Sequence, residues 1–159
     1  MSNLIAFLLL VSGMESAASE AQTPFQAWWV DSLQQVLVED GVPQSRLPGQ
    51  LHAARGEFEA IQVAVRSRTA RRVRLKAEPF GAELPIRIRT VGRVPITRGT
   101  HRTPKEQRVA EPPVDLPDPL FPGDTLELQA DTTDCFWLDV QVPATTEPGG
   151  RVMNFYPVK

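Results

Sequence analysis

The sequence predicts an all-β fold, an antiparallel two-sheet β-sandwich of the immunoglobulin-like or jelly-roll-like kind with one long proline-rich loop. Three observations predict it. Fifteen prolines are spread through 159 residues, and a proline inside a helix removes a backbone donor and clashes with the preceding turn. Short apolar runs alternate with polar residues, the period of a strand with one buried face. No stretch carries the apolar repeat of a convincing amphipathic helix. With 42% hydrophobic and 23% charged residues, the composition is that of about one globular domain rather than a disordered chain, a membrane bundle or a large enzyme.

The first 21 residues stand apart. Leu4 to Val11 (LIAFLLLV) is an apolar run too short to cross a bilayer, and Ser16, Ala17, Ala18, Ser19 and Ala21 follow it. That is the pattern of a secretory signal peptide, cleaved after Ala18 or Ala21. The chain is therefore expected to be secreted, periplasmic or at the surface of a bacterial cell, with residues 22–159 forming the single domain and no membrane span.

The elements follow in order. Trp28 to Val38 (WWVDSLQQVLV) fits either a strand or a short helix. Glu57 to Arg66 (EFEAIQVAVR) places Ile61, Val63 and Val65 on one face and Phe58, Ala60 and Ala64 on the other, which suits a central strand covered on both sides. Gly56 just before it can take a positive φ and turn the chain from a strand holding Leu51 and Ala53. Val73, Leu75 and Ala77 alternate with Arg72, Arg74 and Lys76, Ile86 and Ile88 with Arg87 and Arg89, and Leu126, Leu128 and Ala130 with Thr125, Glu127 and Gln129. Phe136, Leu138, Val140 and Val142 alternate with Trp137, Asp139 and Gln141 until Pro143, which cannot donate to a ladder. Between these runs, Thr97 to Pro122 has six prolines and little periodicity and reads as a long excursion.

Charge is segregated along the chain. Arg46 to Arg108 holds 15 bases and 5 acids, and Val109 to Lys159 holds 2 bases and 9 acids, so the two halves should attract. Arg66, Arg68, Arg72, Arg74, Arg87 and Arg89 recur every second residue, the solvent side of strands, and no nucleic-acid-binding motif accompanies them. Nucleic acid is therefore not an expected partner.

Catalytic chemistry finds little foothold. Cys135 is the one cysteine, flanked by Phe136 and Trp137, and reads as a buried thiol because neither His52 nor His101 sits in a motif that would activate it. Glu57 and Glu59 point the same way along one strand, whereas paired glycosidase carboxylates face each other across a sugar at about 5 to 10 Å. They read as hydrogen-bond acceptors or partners of an arginine. Asp118, between two prolines, reads as a turn former. Asp115, Asp118, Asp124, Asp131 and Asp134 lack the spacing of a calcium loop, so no metal is expected. Trp28, Trp29 and Trp137 are the candidates for stacking on a sugar, with core or interdomain packing the competing role for each.

Three stretches, Leu51 to Arg66 (LHAARGEFEAIQVAVR), Leu116 to Pro122 (LPDPLFP) and Cys135 to Gly149 (CFWLDVQVPATTEPG), resemble signatures of one family. The family is the N-terminal β-sandwich domain of glycoside hydrolase family 123 and related DUF4091-type bacterial proteins. The shared residues include Gly56, Glu57, Glu59 and Gln62 in the first stretch, Asp118 in the second and Trp137 in the third. The resemblance implies a domain that precedes a (β/α)-barrel hydrolysing N-acetyl-β-galactosaminides, with the catalytic Asp-Glu pair in that barrel, beyond Lys159. It implies no catalytic residue and no cofactor here, and two partners, a glycan and a catalytic barrel domain. The expected function is a secreted accessory module, intact or as a truncated fragment. The alternative is a free-standing module that binds glycans or proteins in adhesion. Residues 150–159 depart from the family pattern, which predicts an altered or missing last strand and an exposed sheet edge.

Overall fold

The computed structural model describes residues 25–46, 49–80, 84–99, 102–147, 149 and 152–158. The expected signal peptide, both of its cleavage positions and His101 lie outside the described residues. Among the described residues eight strands form two antiparallel sheets: β1 (Phe25–Asp31), β2 (Phe58–Ser67), β3 (Arg71–Phe80), β4 (Ile86–Ile96), β5 (Val114–Pro122), β6 (Thr125–Leu128), β7 (Thr132–Gln141) and β8 (Val152–Val158). The larger sheet has the order β1-β2-β7-β4-β5 and the smaller β6-β3-β8. The nearly all-β fold predicted from alternation and proline content is the one observed.

The core lies between the sheets. Ile61, Val63 and Val65 of β2 and Phe136 and Leu138 of β7 pack against Val73 and Leu75 of β3 and Leu128 of β6. The register places Ile61 opposite Leu138 and Val63 opposite Phe136, so apolar side chains meet across the strands as well as between the layers. Each such residue contributes about 1.5–3 kcal/mol by leaving water.

The outer face of the larger sheet carries a second apolar cluster of Trp28, Val30, Val36, Ala64, Val91 and Cys135. It is covered by the segment following β1, which crosses β2 and β7 as a strap. Gln62 Nε2 donates to the carbonyls of Asp31 (2.9 Å) and Gln34 (2.7 Å). The Thr133 hydroxyl donates to Asp40 O at 2.6 Å, and the Thr133 amide donates to Val38 O at 2.9 Å. Arg93 donates to Val36 O at 3.2 Å. These bonds explain why β2 is buried on both faces, as its apolar residues at successive positions require.

Several expectations are corrected. Trp28 to Val38 is neither wholly strand nor helix: β1 ends at Asp31, whose Oδ1 accepts from the Leu33 amide at 2.8 Å and turns the chain. The excursion is shorter than Thr97 to Pro122, because β4 runs to Ile96 and Val114 to Pro122 is strand β5. Pro117, Pro119 and Pro122 are tolerated because β5 is an edge strand, paired on one side only. A 3₁₀ turn at Lys105–Gln107 lies in the remaining loop, where Arg108 donates to Thr103 O at 2.9 and 3.1 Å. Leu51 and Ala53 lie outside any strand, although Gly56 does turn the chain with φ 85°. The last strand is present: β8 pairs antiparallel with β3 from Arg74↔Val158 to Phe80↔Val152.

The segregated charges meet as ion pairs. Arg72 pairs with Glu127, Arg74 with Asp124 (2.7 Å), Arg89 with Asp139 (3.1 Å) and Arg93 with Asp134 (2.9 Å), each joining the basic half of the chain to the acidic half. The Arg74 guanidinium, and then the Thr125 hydroxyl, hold the Asp124 carboxyl below its usual value. Arg66 and Arg89 are not on a fully solvated face: Arg66 donates to Asp40 O and to the Thr133 hydroxyl, both at 3.1 Å, beneath the strap.

Candidate functional site

The three tryptophans do not share a surface. Trp28 and Trp137 lie on the outer face of the larger sheet, whereas Trp29 lies on the inner face with Phe25 and Ala27. Trp28 is 8% exposed, packed in the outer cluster. Trp137 is half-buried, and its indole N–H donates to Asp139 Oδ1 at 2.8 Å. Trp29 meets Gly49 so closely that a Cβ there would lie 2.7 Å from indole Cε2 and 2.8 Å from Cγ. The backbone at Gly49 thus covers one face of the ring.

The Gly56 to Gln62 motif resolves into separate roles. Gly56 donates its amide to Val142 O at 2.8 Å, and Val142 returns its amide to Glu57 O at 2.9 Å, which extends the β2–β7 ladder past the strand ends. Glu57 Oε2 accepts from the Ala54 amide at 2.7 Å and closes the turn. Gln62 fastens the strap. Asp118 is not in a turn: it lies in a bulge of β5, where Asp118 and Pro119 together oppose Gly92 of β4.

Glu59 differs from all of these. It pairs in register with Val140, two positions from the Ile61↔Leu138 pair, and so projects from the core-facing side of the sheet. Among the described residues no hydrogen bond or ion pair engages its carboxylate. It lines a cleft of about 890 Å³. Trp29, Leu84, Val140 and Val142 form apolar walls, and His52, Arg55, Thr146 and Glu147 also line it. One side is the irregular segment from Gly49 to Arg55, and Val142 in the lining is fixed by its backbone bonds to Gly56 and Glu57. A second cleft, of about 680 Å³, runs beside β1 between Asp31, Asp40, Arg46 and Gln50, with Trp29 and Gly49 shared as the wall between the two.

Sequence reasoning singled out Trp29 and Glu59 without placing them together. Nothing local marks His52, Arg55, Leu84, Val140, Val142 and Thr146 as site residues, because the cleft is formed by four stretches of chain, at Trp29, from Gly49 to Ile61, at Leu84 and from Val140 to Gly149. One local signal was present: a glutamate in phase with Ile61, Val63 and Val65. Cys135 is buried as expected, and burial pushes its thiol up to about 12. Among the described residues no cluster of histidine, cysteine and carboxylate side chains is arranged to hold a metal ion, and no helix is long and apolar enough to cross a membrane.

The architecture is shared with a solved glycoside hydrolase. The structure of a family 123 glycoside hydrolase from Clostridium perfringens, described for glycolipid glycan hydrolysis, superposes with a TM-score of 0.61 at 14% identity. The match is one of fold. It covers 84% of this chain and 24% of that one, so the chain corresponds to about a quarter of the enzyme's length. No protein-family model and no curated protein matches the sequence. The resemblance read from Leu51 to Arg66, Leu116 to Pro122 and Cys135 to Gly149 and the structural match thus point to the same enzymes.

Proposed function

We propose that the chain is a non-catalytic accessory module of a secreted or cell-surface glycoside hydrolase system. In this role it corresponds to the N-terminal sandwich of family 123-type enzymes, supporting a catalytic barrel and presenting glycan to it. The observation that carries this reading is the fold shared over 84% of the chain with 24% of a glycan-hydrolysing enzyme. The carboxylates favour it too. Glu57 is tied to the Ala54 amide and Glu59 lies one residue beyond Phe58 on the same strand, so the pair does not flank a bond to be cleaved.

Two measurements test the proposal. Incubating the purified chain with aryl N-acetyl-β-galactosaminides is expected to release no aryl alcohol above the buffer rate, and turnover by the chain overturns the non-catalytic role. Fusing the chain ahead of a family 123 catalytic barrel is expected to lengthen the barrel's half-life on heating relative to the bare barrel. Equal half-lives overturn the supporting role. A second reading, a free-standing glycan-binding module, is favoured by the open cleft around Glu59.

A further inference from the structure

We infer that the cleft lined by Trp29 and Glu59 is a saccharide-binding site, in which the Glu59 carboxylate accepts hydrogen bonds from vicinal hydroxyls of a pyranose. The wall of Trp29, Leu84, Val140 and Val142 takes the ring's apolar face.

Aspartate and glutamate serve structural ends repeatedly in this chain, and the structure satisfies them: Glu127, Asp124, Asp139, Asp134 and Glu111 each meet an arginine, and Glu57 meets a backbone amide. Glu59 has no such partner among the described residues, although Arg55 lines the same cleft. A half-buried carboxylate beside Val140 and Ile61 is costly unless something hydrogen-bonds to it. An apolar residue in phase with Ile61, Val63 and Val65 would extend the core instead. The position is thus one where stability is given up for an acceptor aimed into a cavity.

The cavity's chemistry selects the class of ligand. Its volume of about 890 Å³ lies within the range of small-molecule sites, about 300–1,000 Å³. An ionised carboxylate is acceptor-only, with two oxygens side by side, which matches two adjacent hydroxyl donors. Arg55 and His52 add donors from the facing segment. Two carboxylates, Glu59 and Glu147, share the cleft with the Arg55 guanidinium, so a simple anion is disfavoured, and among the described residues no side-chain group is arranged to hold a metal ion; a neutral polyol can use both the acceptors and the donors. The aliphatic wall and the aromatic edge of Trp29 suit the C–H face of a pyranose. Backbone bonds from Val142 to Gly56 and Glu57, and the Glu59↔Val140 pairing, fix the strands that carry the lining, so Glu59 is positioned before a ligand arrives.

The inference deepens the glycan-presenting part of the proposed function and relies on it only for the choice of sugars. The test is calorimetric titration of the purified full chain with galactose- and N-acetylgalactosamine-terminated oligosaccharides, together with thermal melts of Glu59→Gln, Glu59→Leu and Trp137→Phe. The unaltered chain is expected to bind at least one of these sugars. Both Glu59 variants should weaken that binding about ten-fold or more, and Trp137→Phe, on the opposite face of the sheet, should leave it unchanged. Glu59→Leu should also melt at or above the temperature of the unaltered chain, because it extends the core. The inference is overturned if none of the sugars binds, if the Glu59 variants bind as well as the parent, or if Glu59→Leu melts lower while binding is retained. None of these failures touches the supporting role, which the barrel half-life measures independently.

Discussion

Arg93, on β4, satisfies groups on two other segments at once, β7 and the strap. Its guanidinium donates to Asp134 Oδ1 from two nitrogens (2.9 and 3.2 Å), to Thr133 O (2.6 Å) and to Val36 O (3.2 Å). The planar fork of arginine makes this possible, and an ammonium cannot reproduce it. Replacing Arg93 with Ala leaves Asp134 and two carbonyls beneath the strap without this donor. Arg93→Ala is therefore expected to destabilise the domain by about 2–3 kcal/mol in chemical denaturation, and Arg93→Lys to recover only part of that loss. An unchanged midpoint would show that the strap does not depend on this side chain. Glu59, by contrast, is a residue whose removal should not cost stability, and that opposition separates residues kept for folding from those kept for binding.

At the scale of elements, the bulge between β4 and β5 is the most sharply determined feature. Asp118 and Pro119 oppose the single residue Gly92, and the Phe121 ring and Pro119 lie over Gly92 where a side chain would be. A Cβ at Gly92 would come within 2.9 Å of Pro119 Cγ and closer still to the Phe121 ring. Gly92→Ala is expected to cost about 1–2 kcal/mol through overpacking. In a Phe121→Ala background the cost should shrink, and equal costs in both backgrounds would show that the ring is not what excludes the methyl group. β5 also shows where sequence reading falls short. Its alternation is broken by Pro117, Pro119 and Pro122, which argue against a central strand but are compatible with an edge. Edge position depends on sheet order, which no local pattern encodes. β3, β6 and β7 are legible because each carries a period-two run, β2 because it is apolar at successive positions, and β4 only over Ile86 to Arg89, before its phase slips at the bulge. The strap is not, since Val36, Val38 and Asp40 are held through residues of β2, β4 and β7, far away in sequence. The cleft is legible only in part: the phase of Glu59 is written in β2, but its walls come from four stretches that meet only in the folded chain.

For the whole molecule, the near balance of charge conceals a division that folding resolves. The basic half supplies Arg72, Arg74, Arg89 and Arg93, the acidic half their partners, so cross-strand pairs join the early and late parts of the chain. Cys135 reports on the integrity of this arrangement. It is 2% exposed on the central strand β7, and burial raises its thiol far above neutral pH. Labelling by a thiol reagent at pH 8 should therefore be slow in the native domain. Its rate should rise with denaturant in step with global unfolding, because the thiolate becomes accessible only when the outer cluster opens. Rapid labelling without denaturant would show that the strap opens on its own. The strap itself has a consequence for the order of assembly. The Asp40 carbonyl accepts from Thr133, 93 residues further along. During synthesis from the N-terminus, the strap emerges long before the strand that fastens it, and its docking must await the arrival of β7. Until then Trp28 and Val36 have neither Cys135 nor Val91 to pack against, so the nascent chain carries an uncovered apolar stretch for most of its synthesis.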